Sequence, residues 1–161
     1  MQSKLNATLV HGVVTPRTLA ELRSVVLKAR GMGLPISLAG GRHSMGGQQF
    51  GTNTLLIDTR GLNRVLDFDR DNGSVTVEGG IQWPELLDFL ETAQRGAELS
   101  WGIYQKQTGA DWLTLAGALS CNAHGRGLTL PPIVDQVESF DLMTPDGDVV
   151  RCSRTSSAIR S

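Results

Sequence analysis

Clustered glycine is the feature of this sequence that most limits how the chain can fold. The chain has 19 glycines among 161 residues, whereas glycine averages about 7% of a protein. They concentrate at Gly40-Gly41, Gly46-Gly47, Gly79-Gly80 and the stretch 117–127. Glycine lets the backbone take positive φ or approach a ligand closely. Ordinary turns would explain one such cluster, but four clusters with interspersed polar residues favour loops that converge on one ligand.

Length and charge restrict the class of protein. The length suits one domain with its own core. With 15 Lys and Arg against 16 Asp and Glu the net charge is −1, and without a basic stripe we expect no nucleic-acid partner. Apolar runs fall short of the ~18 residues of a membrane span, and the N-terminus lacks a secretion-signal pattern. Cys121 and Cys152 form neither a metal spacing nor a disulfide framework, so we expect a cytoplasmic protein.

Helix signals occur in three places. Thr18, followed three residues later by Glu21, predicts the start of a helix that ends near Gly31. Trp83-Pro84 begins a second predicted helix, which Gly96 ends. A third, short helix is predicted over 112–120.

Strand signals alternate with these helices. Short apolar runs predict strands at 35–38 and 54–58, and hairpins are predicted at 64–78, around Asn72-Gly73, and at 138–152. Helices segregated against mixed or antiparallel strands indicate an α+β fold rather than strict βαβ alternation. The polar segment 153–161 is predicted to be a tail.

The first segment that can carry chemistry is Leu38-Ala39-Gly40-Gly41-Arg42-His43-Ser44-Met45-Gly46-Gly47-Gln48. Exposed amide groups in such a loop form an anion nest suited to a pyrophosphate. The loop is not a P-loop, because no lysine follows, and it is not a G-x-G-x-x-G turn opening a helix. A nucleotide would therefore be bound by a different fold.

The second segment runs from Thr108 to Gly127 and is rich in small residues, which permit close approach to a flat ring. Thr114, Ser120 and Asn122 carry side chains that can hydrogen-bond to flavin heteroatoms or phosphate. We expect residues 40–47 and 117–125 to lie together around one dinucleotide.

Together these segments resemble the FAD domain of the vanillyl-alcohol oxidase family, also called the p-cresol methylhydroxylase (PCMH) type. The resemblance runs from about Gly12 to Cys152, and its nearest branch contains sugar, alditol and aldonolactone oxidases and decaprenylphosphoryl-ribose oxidase. Each motif is weak alone, but their order and spacing are fairly specific. The motifs are Val14-Thr15-Pro16, Gly40-Gly41-Arg42-His43-Ser44, 77–83, 115–118 with 123–125, and the hairpin 141–150.

The resemblance implies two α+β subdomains with FAD between them, the loop 39–48 around the pyrophosphate, and 109–125 beside the pyrophosphate and isoalloxazine. It also implies oxidation of an alcohol, amine or similar carbon by hydride transfer to flavin N5. The electrons then pass to oxygen or another acceptor. The implied cofactor-binding residues are Ala39, Gly40, Gly41, Arg42, His43, Ser44, Met45, Gln48, Gly109, Thr114, Gly117, Ala118, Ser120, Cys121, Asn122, His124 and Gly125.

His43 matches the position at which many family members bond a histidine covalently to the flavin 8α-methyl; it could instead hydrogen-bond the loop or pack beside the ring. A zinc site of His43, Cys121 and His124 is weaker, since no close ligand pair exists. His124 faces the flavin or caps a turn, and Arg42 neutralises phosphate or forms a surface ion pair. Cys121 is expected to be a small buried residue.

The chain departs from the family in length, because family proteins usually run to more than twice 161 residues. The prediction is therefore an incomplete FAD domain at 1–152, with no substrate domain, no identifiable catalytic base, and oligomerisation left open. The alternative is a truncated nucleotide-binding module without catalysis. A Rossmann-type NAD enzyme is disfavoured, because no strand–glycine-turn–helix unit with a following acidic residue occurs.

Overall fold

The computed structural model describes residues 5–107, 109–127 and 129–154. Within these residues the first unit is a three-stranded sheet of β1 (Gly12–Val14), β2 (Ile36–Ala39) and β3 (Leu55–Asp58). Both outer strands pair with β3 in parallel, in the order β1-β3-β2. The central strand is the most buried, since Leu56, Ile57 and Asp58 are all nearly inaccessible.

Helix α1 (Leu19–Gly31) connects β1 to β2 and begins as predicted. Thr18 Oγ1 accepts a hydrogen bond from the Glu21 amide at 3.1 Å. The Glu21 carboxylate in turn accepts from the Arg17 amide at 2.8 Å, one residue before the N-cap. The first bond satisfies an amide donor that a helix start leaves unpaired, and the second holds the residue that precedes the N-cap.

The second unit holds the larger apolar cluster. Strands β4 (Val65–Asp69) and β5 (Ser74–Val77) form the predicted antiparallel hairpin, and α2 (Trp83–Ala93) follows it. The cluster consists of Ile81, Trp83, Leu86, Leu90, Ala118 and Ile133. Trp101 is half exposed, with its ring against Gly73.

The last elements are α3 (Leu115–Ser120) and the antiparallel hairpin of β6 (Ser139–Met143) and β7 (Val149–Ser153). Ser153, assigned to the tail from sequence, is the last residue of β7, and the predicted tail residues 155–161 lie outside the described residues. The α+β class is confirmed. The parallel pairing of the first sheet was not predicted, because the three-residue β1 carries no clear strand signal.

Candidate functional site

The site begins where β2 and β3 end side by side. Ala39 is the register partner of Asp58 in the parallel ladder, so the loop after β2 leaves the sheet beside the end of β3. Thr59 Oγ1 donates to the Ala39 carbonyl at 3.2 Å. The predicted anion loop is therefore anchored to residues 58–59.

The loop then packs directly on the segment before α3. A Cβ added to Gly40 would overlap the Thr114 side chain, and a Cβ added to Gly41 would overlap the carbonyl oxygen of Trp112. Glycine is required at both positions, because any side chain would force these two stretches apart. Residues more than 70 positions apart in the sequence meet here.

Thr114 connects this loop to α3. Its buried side chain caps the helix by accepting a hydrogen bond from the Gly117 amide at 3.2 Å. A Cβ on Gly117 would lie 2.8 Å from Thr114 Oγ1. Gly40 and Gly117, one from each predicted cofactor segment, thus flank one hydroxyl.

A third glycine cluster joins the same place. The Ala116 amide donates to the Gly79 carbonyl at 2.9 Å, and a Cβ on Gly79 would lie 2.9 Å from Ala116 Cβ. A Cβ on Gly80 would overlap the carbonyl oxygen of Thr59. We call Gly40, Gly41, Gly79, Gly80 and Gly117 the glycine cradle.

Arg42, which follows Gly41 in the sequence, has a positive φ angle. Its φ is +59°, a left-handed conformation that costs energy for a side-chain-bearing residue; left-handed positions of this kind occur in anion-binding nests. Arg42 Nη2 donates to Asp58 Oδ2 at 2.9 Å, while Arg42 Nε is buried and has no hydrogen-bond partner among the described residues. Arg42 thus forms an ion pair, but with a buried partner rather than at the surface, and its expected role towards phosphate stays a prediction.

Asp58 is held as an anion by this arrangement. Burial raises the pKa of its carboxyl, but hydrogen bonds from the Arg60 side chain and amide, with the charges of Arg60 and Arg42, outweigh it and lower the pKa below the ordinary value. Arg60 binds both carboxylate oxygens, Nε to Oδ1 at 2.9 Å and Nη2 to Oδ2 at 2.6 Å. The pKa of Arg60 is raised by the same hydrogen bonding.

His43 is half-buried beside the cradle. Its Nδ1 atom is buried without a hydrogen-bond partner in the described part of the chain, and a Cβ on Gly41 would lie 3.0 Å from it. The rest of the loop is more open. Ser44, Met45 and Gln48 are exposed, and the Gly47 amide closes a turn onto the Ser44 carbonyl at 3.3 Å.

The later part of the second segment, residues 120–125, makes its hydrogen bonds and close contacts with nearby backbone. Ser120 Oγ donates to the Ala116 carbonyl at 2.6 Å, and the exposed His124 ring contacts the Gly125 carbonyl at 2.8 Å through Nδ1, as in the turn-capping alternative. A Cβ on Gly125 would lie 2.9 Å from the carbonyl oxygen of Lys106. Contact between the two predicted segments therefore involves 112–117.

The remaining predicted residues are also placed. Cys121 was expected to be buried, and that expectation is wrong: it is exposed at the C-cap of α3, because a six-residue helix buries only Ala118. Asn122 and Gly109 have φ of +48° and +78°, as turn residues. Thr108 lies outside the described residues.

Sequence reasoning missed several residues near these segments. Asp58, Thr59 and Arg60 support the loop, and no sequence signal identified them, since only the parallel pairing of β2 with β3 places them there. Gln49 and Gln107 have buried amide atoms that lack partners in the described ranges. Such atoms are rare in folded proteins, where a water, an ion or a bound molecule usually pairs with them.

A polar cleft lies beside Asp58 and Arg60. Asp58 and Gln82 line it, and Gln82 also donates to the Trp112 carbonyl that faces Gly41. The other lining residues are Thr15, Arg17, Arg60, Gly61, Asn63, Arg64 and Glu85. Among the described residues, no group of three His, Cys, Asp or Glu is placed to hold a metal, and no helix is long and apolar enough to cross a membrane.

Similar solved structures share this fold. The chain superposes on a carbohydrate oxidase from Microdochium nivale with a TM-score of 0.75 and 21% identity, covering 92% of this chain and 31% of that one. An alkyldihydroxyacetonephosphate synthase gives the same TM-score of 0.75 with 24% identity, covering 91% of this chain and 29% of that one.

Similar sequences have sugar-lactone names. L-gulono-1,4-lactone dehydrogenase of Mycobacterium tuberculosis is 32% identical over 141 residues, covering 88% of this chain and 31% of that protein. L-gulonolactone oxidase of Mus musculus is 31% identical over 144 residues, covering 89% and 31%. The chain thus spans about a third of the length of these relatives.

The sequence profile of the family described as FAD binding domain matches residues 10–153. That range contains the glycine cradle, Arg42, His43 and Thr114, together with every element from β1 to β7. The chain therefore belongs to the PCMH-type FAD-binding domain family that its motifs predicted.

Proposed function

We propose that this chain binds FAD with its pyrophosphate at the loop 39–48 and that it is the FAD-binding part of an oxidoreductase acting on a CH–OH carbon. The observation that carries the proposal is a pair of buried nitrogens, Arg42 Nε and His43 Nδ1, in a loop that packs on Thr114. Neither nitrogen has a hydrogen-bond partner within residues 5–107, 109–127 and 129–154. Buried polar atoms normally have partners. A cofactor with anionic oxygens and ring heteroatoms supplies them.

The residues present fit this group. The cradle lets residues 40–41 pack against 112–114 without side chains between them, and the guanidinium of Arg42 can donate charge-assisted hydrogen bonds to phosphate. When bound, FAD would supply the two-electron acceptor, taking hydride from the substrate carbon at flavin N5. The chain's own residues bind and orient the cofactor.

The substrate class rests on similarity. Both relatives named above carry a sugar lactone in their names, so we propose an aldonolactone or a related sugar alcohol as the electron donor. The alternative, a module that binds FAD without catalysis, predicts a bound flavin that such donors never reduce.

Titration of the purified chain with FAD, followed by quenching of flavin fluorescence, tests the proposal. Saturable binding that Arg42→Ala weakens and the surface change Arg95→Ala leaves unchanged is the expected result. Absence of binding would contradict it. Because this chain spans about a third of the length of the lactone-named relatives, the donor is tested on the whole protein that contains it. Anaerobic addition of L-gulono-1,4-lactone should then bleach the flavin absorbance, and retained colour would favour the non-catalytic module.

His43 is the candidate for covalent attachment. Such a bond would replace a ring N–H and a methyl C–H with one N–C bond, the two protons and two electrons passing to an acceptor such as oxygen. Colour that remains with the acid-precipitated protein, is lost in His43→Ala and is kept in the exposed-site control His11→Ala would support it. Colour released by acid from the wild-type chain would instead leave His43 as a non-covalent contact.

A further inference from the structure

Asp58 binds two arginines from different segments. Arg60, two residues later, occupies both carboxylate oxygens, at 2.9 and 2.6 Å. Arg42, from the cofactor loop, shares Oδ2 at 2.9 Å. The Asp58 side chain is only 4% exposed, while those of Arg42 and Arg60 are 31% and 45% exposed.

Because Arg42 and Arg60 share the one carboxylate of Asp58, the three side chains do not neutralise each other. Two guanidinium groups and one carboxylate leave one net positive charge beside the loop. Because the bidentate pair with Arg60 already compensates the carboxylate, the charge of Arg42 is the less neutralised of the two. Glu85, in the neighbouring cleft, accepts instead from the Gln82 amide and Asn63 Nδ2.

The bond to Asp58 also fixes the side chain of Arg42. Arg42 sits at a φ of +59°, where the backbone is held by its surroundings rather than by its own preference. Arginine has a long side chain with many rotamers, so fixing it costs entropy. One Nη2 bond to a buried carboxylate fixes the position of the guanidinium before any ligand binds. Arg42 Nε then has no hydrogen-bond partner in the part of the chain that the structure describes.

We propose that Asp58 is a positioning residue for FAD binding, which holds Arg42 in the cofactor loop while its pairing with Arg60 leaves one net positive charge there for the pyrophosphate. The inference rests on the proposed function, since it assumes FAD at this loop. Asp58 itself touches no cofactor atom in this scheme, because its two oxygens are occupied by arginines.

The Asp58→Asn variant distinguishes a positioning role of Asp58 from a purely electrostatic one, because the two roles predict opposite changes in FAD affinity. The change adds one net positive charge, so charge alone would tighten FAD binding and make it more sensitive to salt. Loss of positioning should instead weaken FAD and ADP binding about tenfold, the scale of one charge-assisted hydrogen bond, and reduce the salt sensitivity. Calorimetric titration of both ligands at several salt concentrations, well below each variant's melting temperature, measures this.

Two further variants complete the experiment. Asp67→Asn makes the same chemical change at an exposed position and should leave both affinities unchanged. Arg42→Lys keeps the charge but lacks the guanidinium whose Nη2 atom donates to Asp58 and whose Nε atom remains for the ligand. It should weaken FAD binding about tenfold on the same scale, and it gives a result even if Asp58→Asn does not fold.

The outcomes are distinct. FAD binding by Asp58→Asn as tight as that of the wild type or tighter would overturn the inference and leave the proposed function intact, and so would unchanged affinity in Arg42→Lys. Failure of the wild-type chain to bind FAD would overturn both the inference and the proposed function.

Discussion

The side chain of Thr114 occupies the space that a side chain at Gly40 would need, since a Cβ built on Gly40 overlaps Thr114 Oγ1 and approaches Thr114 Cγ2 to 3.0 Å. Thr114 cannot retreat easily, because it is buried and caps α3 through the Gly117 amide. The glycine and the threonine therefore constrain each other across 74 residues of sequence.

Gly40→Ala should lower the free energy of unfolding by about 1–3 kcal/mol, the usual cost of forcing extra atoms into a packed site. It should weaken FAD binding as well, because the loop must move away from Thr114. Urea unfolding and FAD titration measure the two effects. Gly102→Ala is the matched control, because its Cβ would meet nothing within 4 Å; equal stability losses in the two variants would contradict the packing explanation.

Thr114→Val should remove the helix cap while keeping nearly the same shape. The expected loss in unfolding free energy is about 1 kcal/mol, typical of a lost N-cap, since the Gly117 amide loses its acceptor. Thr114→Ser keeps the hydroxyl and should retain most of that stability. A valine variant as stable as the serine variant in urea would show that the cap contributes little.

Acid should destabilise the chain through Asp58. Its folded-state pKa lies below the ordinary value, so its ionised form contributes stability above that value, and the contribution is lost as the pH falls below about 4 through the lowered pKa. Between about pH 5 and about pH 3, the melting temperature of Asp58→Asn should therefore fall less than that of the wild type. Parallel curves for the two proteins would refute this.

Glu78 should add to the same acid transition. Its hydrogen bond with the Arg64 side chain is the main reason that its pKa is lowered, against a smaller opposing effect of burial. Glu78→Gln should accordingly reduce the acid sensitivity. Asp67→Asn, at an exposed position, is the control, and an equal reduction in that variant would point to a general charge effect.

Gly31→Ala should stabilise the chain. Gly31 is the last residue of α1 and a Cβ there would meet nothing within 4 Å, so alanine gains about 0.5–1 kcal/mol from helix propensity and reduced unfolded-state entropy. Gly33→Ala is the matched opposite, because its φ of +63° disfavours a side chain and should cost about 1 kcal/mol. Thermal unfolding should give shifts of opposite sign; a loss of stability in Gly31→Ala would contradict the explanation.

Local signals in the sequence were enough to predict most elements. The Thr18 cap, the Asn72-Gly73 turn and Pro84 each act within a few residues of themselves, so the start of α1, the β4–β5 hairpin and the start of α2 agree with the structure. The glycine clusters also identified segments that pack against each other in the structure. These signals act between residues that are close in the sequence, so they do not depend on tertiary contacts.

Direction and partnership depended on the tertiary structure. Nothing near Asp58 indicates that β3 pairs in parallel with β2, yet that pairing alone brings its carboxylate to the loop 39–48 and to Arg42. Cys121 and Ser120 share the small-residue pattern of the second segment, but the short α3 leaves the first exposed and turns the hydroxyl of the second back to Ala116. The sequence by itself determined where the backbone could bend and approach closely, because that freedom belongs to each glycine; only the tertiary structure decided what each glycine faces, because contacts across more than 70 residues arise from strand pairing and packing.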